Sequence, residues 1–278
     1  MTSRADPLMR IANFLSQNLD RPYLQMMRYL CRGLGKVPTL VAAPRFADFI
    51  DGEIDLAFMC GYPFTAMNAV IPGAGTAIAA PLLDDSRVIE RPVYFGDVIV
   101  NTDSSLTEFA HLQQKRFAYN EVVSLSGYKM LEDYLLPSSG IDGFCSDMIE
   151  SGSHQRSIEM VIAGDADYAL IDSQALAVEA GNDPGINTRL RRIGQFGPHP
   201  MPPVVASRRM SLTDIDDIGT ALSRIHLEQA VSHCLRRAQV RRFVPVSSDF
   251  YVPIEDLIRN IRNASGDNFQ GFVFRSAA

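Results

Sequence analysis

Short, mostly apolar runs alternate along most of the chain with stretches in which apolar side chains recur at helical spacing. Apolar runs of this kind are typical of strands that are buried on both faces of a parallel sheet. They cover residues 55–60, 76–83, 93–100, 116–119, 168–171, 190–196 and 204–207. Helix-like stretches separate most of them, and this alternation predicts an α/β fold with largely parallel sheets.

The patterns at the two ends of the chain are less regular. Residues 7–34 place apolar side chains at mostly helical spacing, with a break at 20–22, and so predict helix. Residues 214–237 predict one long helix. The other elements predicted here are a strand at 39–43, a helix at 44–50, a strand at 243–246 and a helix near 254–261.

Two stretches rich in serine, residues 120–128 and 151–154, each follow a strand-like run and precede a helix-like one. The start of a helix offers unpaired backbone N–H groups and the positive end of the helix dipole, which suits an anion. Serine hydroxyls add donors at the same place, so the two starts predict two donor sets that face one oxyanion. In the alternative interpretation, these residues are ordinary helix N-caps: Ser124, Ser126, Ser151 and Ser153.

The strand predicted at 55–60 ends abruptly at Gly61. Ligands of parallel α/β sheets gather beyond the carboxyl ends of the strands, so Tyr62 and Phe64 are candidates for a pocket wall. The alternative is that both are aromatic residues of a turn and of the core. Four prolines within 198–203 predict a stiff loop at which the chain crosses between two lobes.

Composition narrows the choice of partners. The chain has 278 residues, of which 46% are hydrophobic and 21% charged, which suffices for a full core and suits two lobes. Its formal net charge is −6 and its isoelectric point is about 5.4. This acidic balance argues against nucleic acid or an anionic membrane surface as a partner. An anionic ligand would have to be attracted by local dipoles, against the overall charge.

The cysteines predict buried thiols. Cys31, Cys60, Cys145 and Cys234 are far apart and form no CxxC pair, so neither a metal cluster nor a disulfide framework is expected, and no cofactor site is predicted. No run of about 18 apolar residues predicts a membrane span. The first ten residues lack the apolar core of a secretory signal. We therefore expect either a cytoplasmic protein or a mature chain whose leader has been removed.

Several motifs, taken in order, carry a family resemblance. They are Cys-Gly-Tyr-Pro at 60–63, Ser-Leu-Ser-Gly-Tyr at 124–128 with Asn120 before it, Ser-Gly-Ser-His at 151–154, Gly-Asp-Ala-Asp at 164–167 and Ile-Asp-Ser at 171–173. Their order and spacing over residues 50–208 resemble the phosphate-, phosphite- and phosphonate-binding proteins of ABC importers. The resemblance implies a type II periplasmic-binding-protein fold, in which a ligand cleft lies between two lobes. Each lobe would be a mostly parallel sheet flanked by helices, with lobe one at 1–98 and 206–278 and lobe two at 99–205.

The resemblance also implies a ligand and its site. A small anion (phosphate, phosphite or phosphonate) is expected in the cleft, for uptake through an ABC permease. The family's anion cradle, carried over onto this chain, consists of Ser124, Ser126, Gly127 and His154, with Tyr62 facing them from the other lobe and Asp172 as a further candidate. Leu125 stands where the best-known members have a third hydroxyl residue, so one donor is missing.

Asp172 distinguishes between classes of ligand, because a bare carboxylate repels a fully ionised anion. It would accept a proton from a P–OH group or pair with the amine of a zwitterionic phosphonate. In the alternative interpretation it is the N-cap of a helix at 174–180. Gln174 lies near the position at which some phosphonate binders carry an acid.

Two other functions are compatible with the sequence. One is a cytoplasmic ligand sensor of the same fold that works without a transporter. The other is an enzyme derived from the fold, for which Cys60, Cys145 and His154 are the candidate nucleophiles and base. Single cysteines are more often small core residues. The sequence favours a solute-binding protein without catalytic residues.

Overall fold

The computed structural model describes residues 8–265, which form two β-sheets covered by helices. The strands in this range are β1 (Leu8–Asn13), β2 (Val37–Leu40), β3 (Leu56–Phe58), β4 (Gly75–Leu83), β5 (Val93–Asn101), β6 (Arg116–Tyr119), β7 (Asp147–Glu150), β8 (Tyr168–Asp172), β9 (Leu190–Pro200), β10 (Val204–Ser207) and β11 (Val240–Pro245). The helices are α1 (Asp20–Gly33), α2 (Phe46–Ile50), α3 (Gly61–Val70), α4 (Met130–Leu135), α5 (Gly140–Phe144), α6 (His154–Ala163), α7 (Ser173–Asn182), α8 (Ile186–Arg189), α9 (Leu212–Arg224), α10 (Ser232–Arg237) and α11 (Val252–Ser265). A π-helical turn (Leu125–Lys129) precedes α4.

Both sheets are mixed, with parallel and antiparallel strand pairs, and so are less parallel than the sequence predicts. The six-stranded sheet has the order β11-β4-β10-β3-β1-β2, and in it β10 and β11 oppose the other four strands. The five-stranded sheet has the order β7-β6-β8-β5-β9, and in it only β5 is opposed. β5 and β10 are each the first strand after the chain has crossed from one sheet to the other.

We call the part built on the six-stranded sheet lobe one (8–83 and 204–265) and the part built on the five-stranded sheet lobe two (93–200). The chain crosses between them at 84–92 and 201–203. The lobe limits expected from the sequence, 1–98 with 206–278 and 99–205, cut through β5 and β10. β5 pairs with β9 along its whole length, so the chain enters lobe two several residues earlier than expected.

The helix predicted at 7–34 is wrong over its first part. Residues 8–13 form β1, which lies between β2 and β3, and α1 begins only at Asp20. Met9 and Ile11, two residues apart, are both buried, as a strand requires. Over six residues the periods of a strand and a helix are hard to distinguish, and pairing with two neighbouring strands decides the outcome.

Two further sequence predictions need correction. The helix predicted at 214–237 is split into α9 and α10, because two 3₁₀ turns and an extended Glu228 intervene. Pro198 and Pro200 belong to β9 and not to a loop. β9 lies at the edge of its sheet, where a missing N–H donor is tolerated.

The largest hydrophobic core lies in lobe one and extends across the lobe boundary. Tyr23 and Phe58 stack in it with their ring centroids 4.3 Å apart. Leu125 and Met130 of lobe two belong to the same buried cluster, so the lobes are in contact beside the cleft. Among the helices of residues 8–265, none is long and apolar enough to cross a membrane.

Candidate ligand-binding site between the lobes

A cavity of about 150 Å³ lies between the two lobes. The carboxyl ends of β3, β6, β7 and β8 reach it, together with the helix starts that follow these strands. Several helix N-termini therefore meet at one cavity, which is the arrangement expected of an anion site in an α/β fold. The residues that line it are Phe14, Leu15, Ser16, Gln17, Leu19, Phe46, Cys60, Pro63, Asn120, Glu121, Val123, Ser124, Ser126, Gly152, Ser153, His154, Asp172, Gln174 and Pro202.

The π-helical turn after β6 presents serine side chains to this cavity. Ser124 is its N-cap, and its Oγ accepts a hydrogen bond from the Gly127 N–H at 3.0 Å. A Cβ on residue 127 would lie 1.8 Å from Asn120 Oδ1, so the turn needs glycine here. Ser126 is buried and lines the cavity, whereas Gly127 does not line it. The Gly127 N–H thus serves the turn itself.

At the start of α6, Ser153 is a true N-cap. Its Oγ accepts a hydrogen bond from the Arg156 N–H at 3.1 Å. Ser151 instead bonds through its hydroxyl to the hydroxyl of Ser157, at 2.7 Å. Ser124 and Ser153 are therefore helix N-caps, as the alternative interpretation expected. Ser126 and Ser151 are not.

His154 is the first residue of α6 and is 7% exposed. Its Nδ1 is buried and has no hydrogen-bond partner among the described residues. Burial lowers the pKa of the imidazole to about 4, so the ring is neutral near pH 7 and carries one N–H donor. Buried polar atoms are nearly always paired, and an anionic ligand in the cavity would supply the missing partner.

The structure confirms one interpretation of Asp172, the helix N-cap, whereas its contact with a ligand stays a prediction. Its Oδ1 accepts hydrogen bonds from the backbone N–H groups of Gln174 (2.8 Å) and Ala175 (3.0 Å), so it caps α7. It also lines the cavity. Desolvation raises the pKa of its carboxyl to about 6, because the opposing effect of the two N–H groups is smaller and Asp97 adds a further rise.

The cavity contains carboxylates but, in the part of the chain described, no lysine or arginine lines it. Glu121 is the second carboxylate. Its pKa is raised, mainly by desolvation and to a smaller extent by the charge of Glu150. The donors available to an anion are therefore neutral: hydroxyls, side-chain amides, an imidazole and the N–H groups of helix N-termini. A ligand must carry a proton, or a cationic group, to lie beside Asp172 without repulsion.

Tyr62 and Phe64 lie in α3, and neither lines the cavity. Tyr62 is buried, with Lys129 Nζ 5.4 Å from its ring centroid. Phe64 packs edge-to-face against Tyr251, with centroids 5.1 Å apart, as a core aromatic residue. A contact between Tyr62 and the ligand stays a prediction.

Three features of the cavity escape sequence-based prediction. Phe14 and Phe46 stack with centroids 4.6 Å apart and form an apolar wall. Behind the lining, the buried Tyr94 hydroxyl lies close to Ser126 and Cys60. Asn120 lines the cavity, and its Oδ1 is buried without a hydrogen-bond partner in the described chain. Asn120 directly follows a predicted strand and could have been recognised. Phe14 gave no signal, because it lies in the segment whose pattern predicts helix.

The cysteines named for an enzymatic alternative do not come together. Cys60 lines the cavity, and desolvation raises the pKa of its thiol to about 11, so the thiol stays protonated. Cys145 lies in the core of lobe two, with its Sγ 3.1 Å from the Tyr168 hydroxyl. Within residues 8–265, no group of three or more His, Cys, Asp or Glu side chains could hold a metal ion.

Comparison with known proteins identifies similar sequences and folds. The model of a family described as the periplasmic substrate-binding proteins of phosphonate ABC transporters matches residues 10–251. A binding-protein component of an ABC phosphonate transporter from Pseudomonas aeruginosa is 18% identical, with a TM-score of 0.78 over 93% of this chain and 88% of that one. PhnD1 from Prochlorococcus marinus, solved with methylphosphonate, is 17% identical, with a TM-score of 0.80 over 92% and 99%. A Candida albicans protein with the generic periplasmic-binding-protein fold is 12% identical, with a TM-score of 0.64 over 94% and 92%.

Proposed function

The chain belongs to the family of periplasmic substrate-binding proteins of phosphonate ABC transporters, and on this premise we propose that its interlobe cavity binds a small phosphonate for delivery to an ABC permease. The observation that carries the proposal is the unpaired Nδ1 of buried His154, in a cavity where several helix N-termini meet. A buried donor or acceptor without a partner is rare unless a ligand completes it.

We place the phosphonate oxygens against the hydroxyls of Ser124 and Ser126 and the imidazole of His154. Each charge-assisted hydrogen bond is worth about 1.5–3 kcal/mol, and a helix N-terminus adds about 0.3–1 kcal/mol. Asp172 Oδ2, which has no hydrogen-bond partner among the described residues, accepts the proton of a P–OH group. The ligand is therefore bound as a monoanion that keeps this proton.

The organic substituent then lies against the apolar wall of Phe14 and Phe46. The cavity volume is about 150 Å³, well below the ~300–1,000 Å³ of pockets for drug-sized ligands. Methylphosphonate, the ligand of the Prochlorococcus marinus protein, is of suitable size and has an apolar substituent. In place of the carbon substituent phosphate has a fourth oxygen and phosphite a hydrogen, so the apolar wall favours the phosphonate over both.

Family membership supports transport over the two other functions that the sequence allows. A substrate-binding component carries its ligand without altering it, and the protonated thiol of Cys60 is not an activated nucleophile. We accordingly assign no catalytic residue to this chain. A sensor that works without a permease would use the same cavity. A binding experiment therefore tests the ligand whether a permease or another protein receives it.

Calorimetric titration at pH 7 tests the proposal. Methylphosphonate, 2-aminoethylphosphonate, phosphate, phosphite and sulfate are titrated into the wild type and into the Ser126→Ala and His154→Ala variants. We expect micromolar or tighter binding of a phosphonate to the wild type. Loss of one charge-assisted bond weakens binding by roughly 10- to 100-fold, and we expect a loss of this size in each variant.

The matched control is Ser223→Ala, because this serine lies on α9 and bonds only to the Thr220 carbonyl, at 2.8 Å. It should bind the phosphonate as the wild type does. Absence of binding across the whole panel, or wild-type affinity in the His154→Ala variant, would show that the cavity does not hold a phosphorus oxyanion in this way.

A further inference from the structure

Four polar side chains connect the two lobes at the rim of the cavity, and we call them the rim cluster: Ser16 and Asn18 from lobe one, and Gln155 and Glu179 from lobe two. Gln155 Nε2 donates to Ser16 Oγ at 2.8 Å and to Glu179 Oε1 at 3.1 Å. Asn18 Nδ2 donates to the same oxygen of Glu179 at 2.8 Å. The cluster therefore links α6 and α7 to the segment that follows β1.

Glu179 is the charged member of the rim cluster. It is half-buried and forms no ion pair with any other residue of the described chain; its carboxylate accepts instead from the amides of Asn18 and Gln155. Hydrogen bonds to a carboxylate are stronger than those between neutral groups. One of the two comes from the opposite lobe, so the carboxylate loses part of its stabilisation when the lobes separate.

Asn18 makes this contact reversible. Its Nδ2 faces two acceptors, the Glu179 carboxylate and the Ala175 carbonyl at 3.0 Å, which fixes the orientation of the amide. Its Oδ1 is then buried without a partner among the described residues. An unpaired buried oxygen is unfavourable, and separation of the lobes would expose it to water. The bonds to Glu179 thus favour contact between the lobes, whereas the unpaired Oδ1 of Asn18 favours their separation.

The rim cluster is attached directly to the cavity wall. Ser16 belongs to the segment whose Phe14, Leu15 and Gln17 line the cavity, and Gln155 follows His154. If lobe one moved away from α6 and α7, the bonds of the cluster would break and this side of the cavity would open.

We propose that the rim cluster is a latch that sets how long the ligand stays bound, and that Asn18, Gln155 and Glu179 are positioning residues although none of them lines the cavity. The inference rests on the proposed function, since it concerns the release of the same ligand. Release requires the lobes to separate, and the latch must open before they do. Its removal therefore raises the dissociation rate of the ligand more than it changes the association rate.

Exchange of donor and acceptor across the cleft tests the latch. Asn18→Asp places a carboxylate against Glu179, and we expect methylphosphonate, measured by stopped-flow displacement, to dissociate about tenfold faster or more, as loss of a charge-assisted bond predicts. In the double variant Asn18→Asp/Glu179→Gln the amide now donates from lobe two, and dissociation should slow part of the way back to the wild-type rate, because the bond to the Ala175 carbonyl is not restored. A role limited to folding would not produce this rescue.

The control is Asn260→Ala, which removes a different interlobe hydrogen bond, the exposed contact to Asp133 at 3.3 Å. It should release the ligand at the wild-type rate. Wild-type dissociation in Asn18→Asp, or a double variant as fast as that single one, overturns the proposal.

A second measurement separates this inference from the proposed function. Small-angle X-ray scattering of the ligand-free proteins should show a larger radius of gyration for Asn18→Asp, and a partial return to the wild-type value in the double variant. If the wild type binds no phosphorus oxyanion but the scattering follows this order, the proposed function fails and the latch stands. Identical scattering from all three proteins refutes the latch.

Discussion

At the residue scale, Asp172 and His154 titrate in opposite senses at one cavity. Burial raises the pKa of the first to about 6 and lowers that of the second to about 4. At pH 7 Asp172 is therefore a carboxylate and His154 a neutral imidazole. Between about pH 4 and 6 both of these groups are neutral, and an anion then meets less repulsion.

The substitution Asp172→Asn keeps an oxygen that can cap α7 and removes the charge. The pKa of Asp172 in the folded chain lies above its unfolded value of about 3.9, so the stability it contributes is lost as the pH rises from about 4 to 6. A shift of about two units corresponds to at most about 3 kcal/mol. The free energy of unfolding of the variant minus that of the wild type, measured by urea denaturation, should therefore be more positive at pH 8 than at pH 4.

His154→Gln provides the control of opposite sign. The pKa of His154 is lowered in the folded chain, so the wild type loses stability as the pH falls from about 6.5 to 4, and this variant should not. Equal pH dependence of the free energy of unfolding in both variants would contradict the assignment of these two groups.

Local chain order explains which site residues the sequence could predict. Ser124, Ser126 and His154 stand where a helix starts after a strand, and the fold brings such starts together. Tyr94, the second residue of β5, is buried close to Ser126 but does not line the cavity, and the apolar residues around it in the sequence do not indicate a polar role. Tyr62 fits the motif, but the direction of its side chain depends on how α3 packs, which the motif does not specify.

At the scale of elements, the start of α6 allows capping to be separated from binding. Ser153→Ala removes the acceptor for the Arg156 N–H and should lower the free energy of unfolding by about 1 kcal/mol. Ser153→Asp keeps the cap and the stability but adds a third carboxylate to the cavity, so phosphonate affinity should fall. Urea denaturation and calorimetry measure the two effects.

Ser211→Ala is the matched control, because Ser211 caps α9 away from the cavity by accepting from the Asp214 N–H at 3.0 Å. It should cost a similar amount of stability and leave affinity unchanged. Unaltered affinity in Ser153→Asp would argue that the anion does not lie beside α6.

Strand prediction succeeded where burial forces a continuous apolar run. β6 is found at the residues predicted, 116–119, because it lies between two parallel strands under helices. The prediction was wrong for β1, which also lies between two strands, because six residues contain too few apolar positions to distinguish a period of 2 from one of 3.6. Tertiary pairing, which the sequence does not display, made the difference.

At the scale of the whole molecule, an ion pair ties the first crossing segment to lobe two. Arg87, in the segment 84–92, contacts both oxygens of Asp97, at 2.7 and 3.2 Å. Asp97 is 2% exposed. A buried carboxylate that loses its partner typically costs about 3–5 kcal/mol. Arg192, 3.6 Å from Asp97, provides partial compensation.

We therefore expect Arg87→Met to lower the free energy of unfolding by about 3 kcal/mol, near the lower end of that range. Arg156→Ala is the comparison, because the Arg156–Glu159 pair is exposed and should contribute less than about 1 kcal/mol. If denaturation gave similar small losses for both variants, the Arg87–Asp97 pair would not be what fastens the crossing segment.

The two-lobe fold and the family, both predicted from the order of the motifs, are confirmed by the family match and by the structural neighbours. The motif order could indicate the fold because each motif marks one junction between a strand and a helix. It could not place the first crossing, because β5 is an apolar strand like its neighbours, whereas the second crossing, at 201–203, lies within the proline-rich segment 198–203 at which the sequence predicts one. The sheet membership of β5 and β10 depends on long-range pairing.

The absence of lysine and arginine from the lining of the described cavity makes its attraction short-ranged, since a helix terminus acts over about one turn. The net charge of −6 repels an approaching anion from further away, and salt screens this repulsion beyond about 8–10 Å at physiological ionic strength. A receptor built on arginines captures anions more slowly as salinity increases. For this protein we expect the opposite: its rate of ligand capture should stay constant or increase as the salt concentration rises.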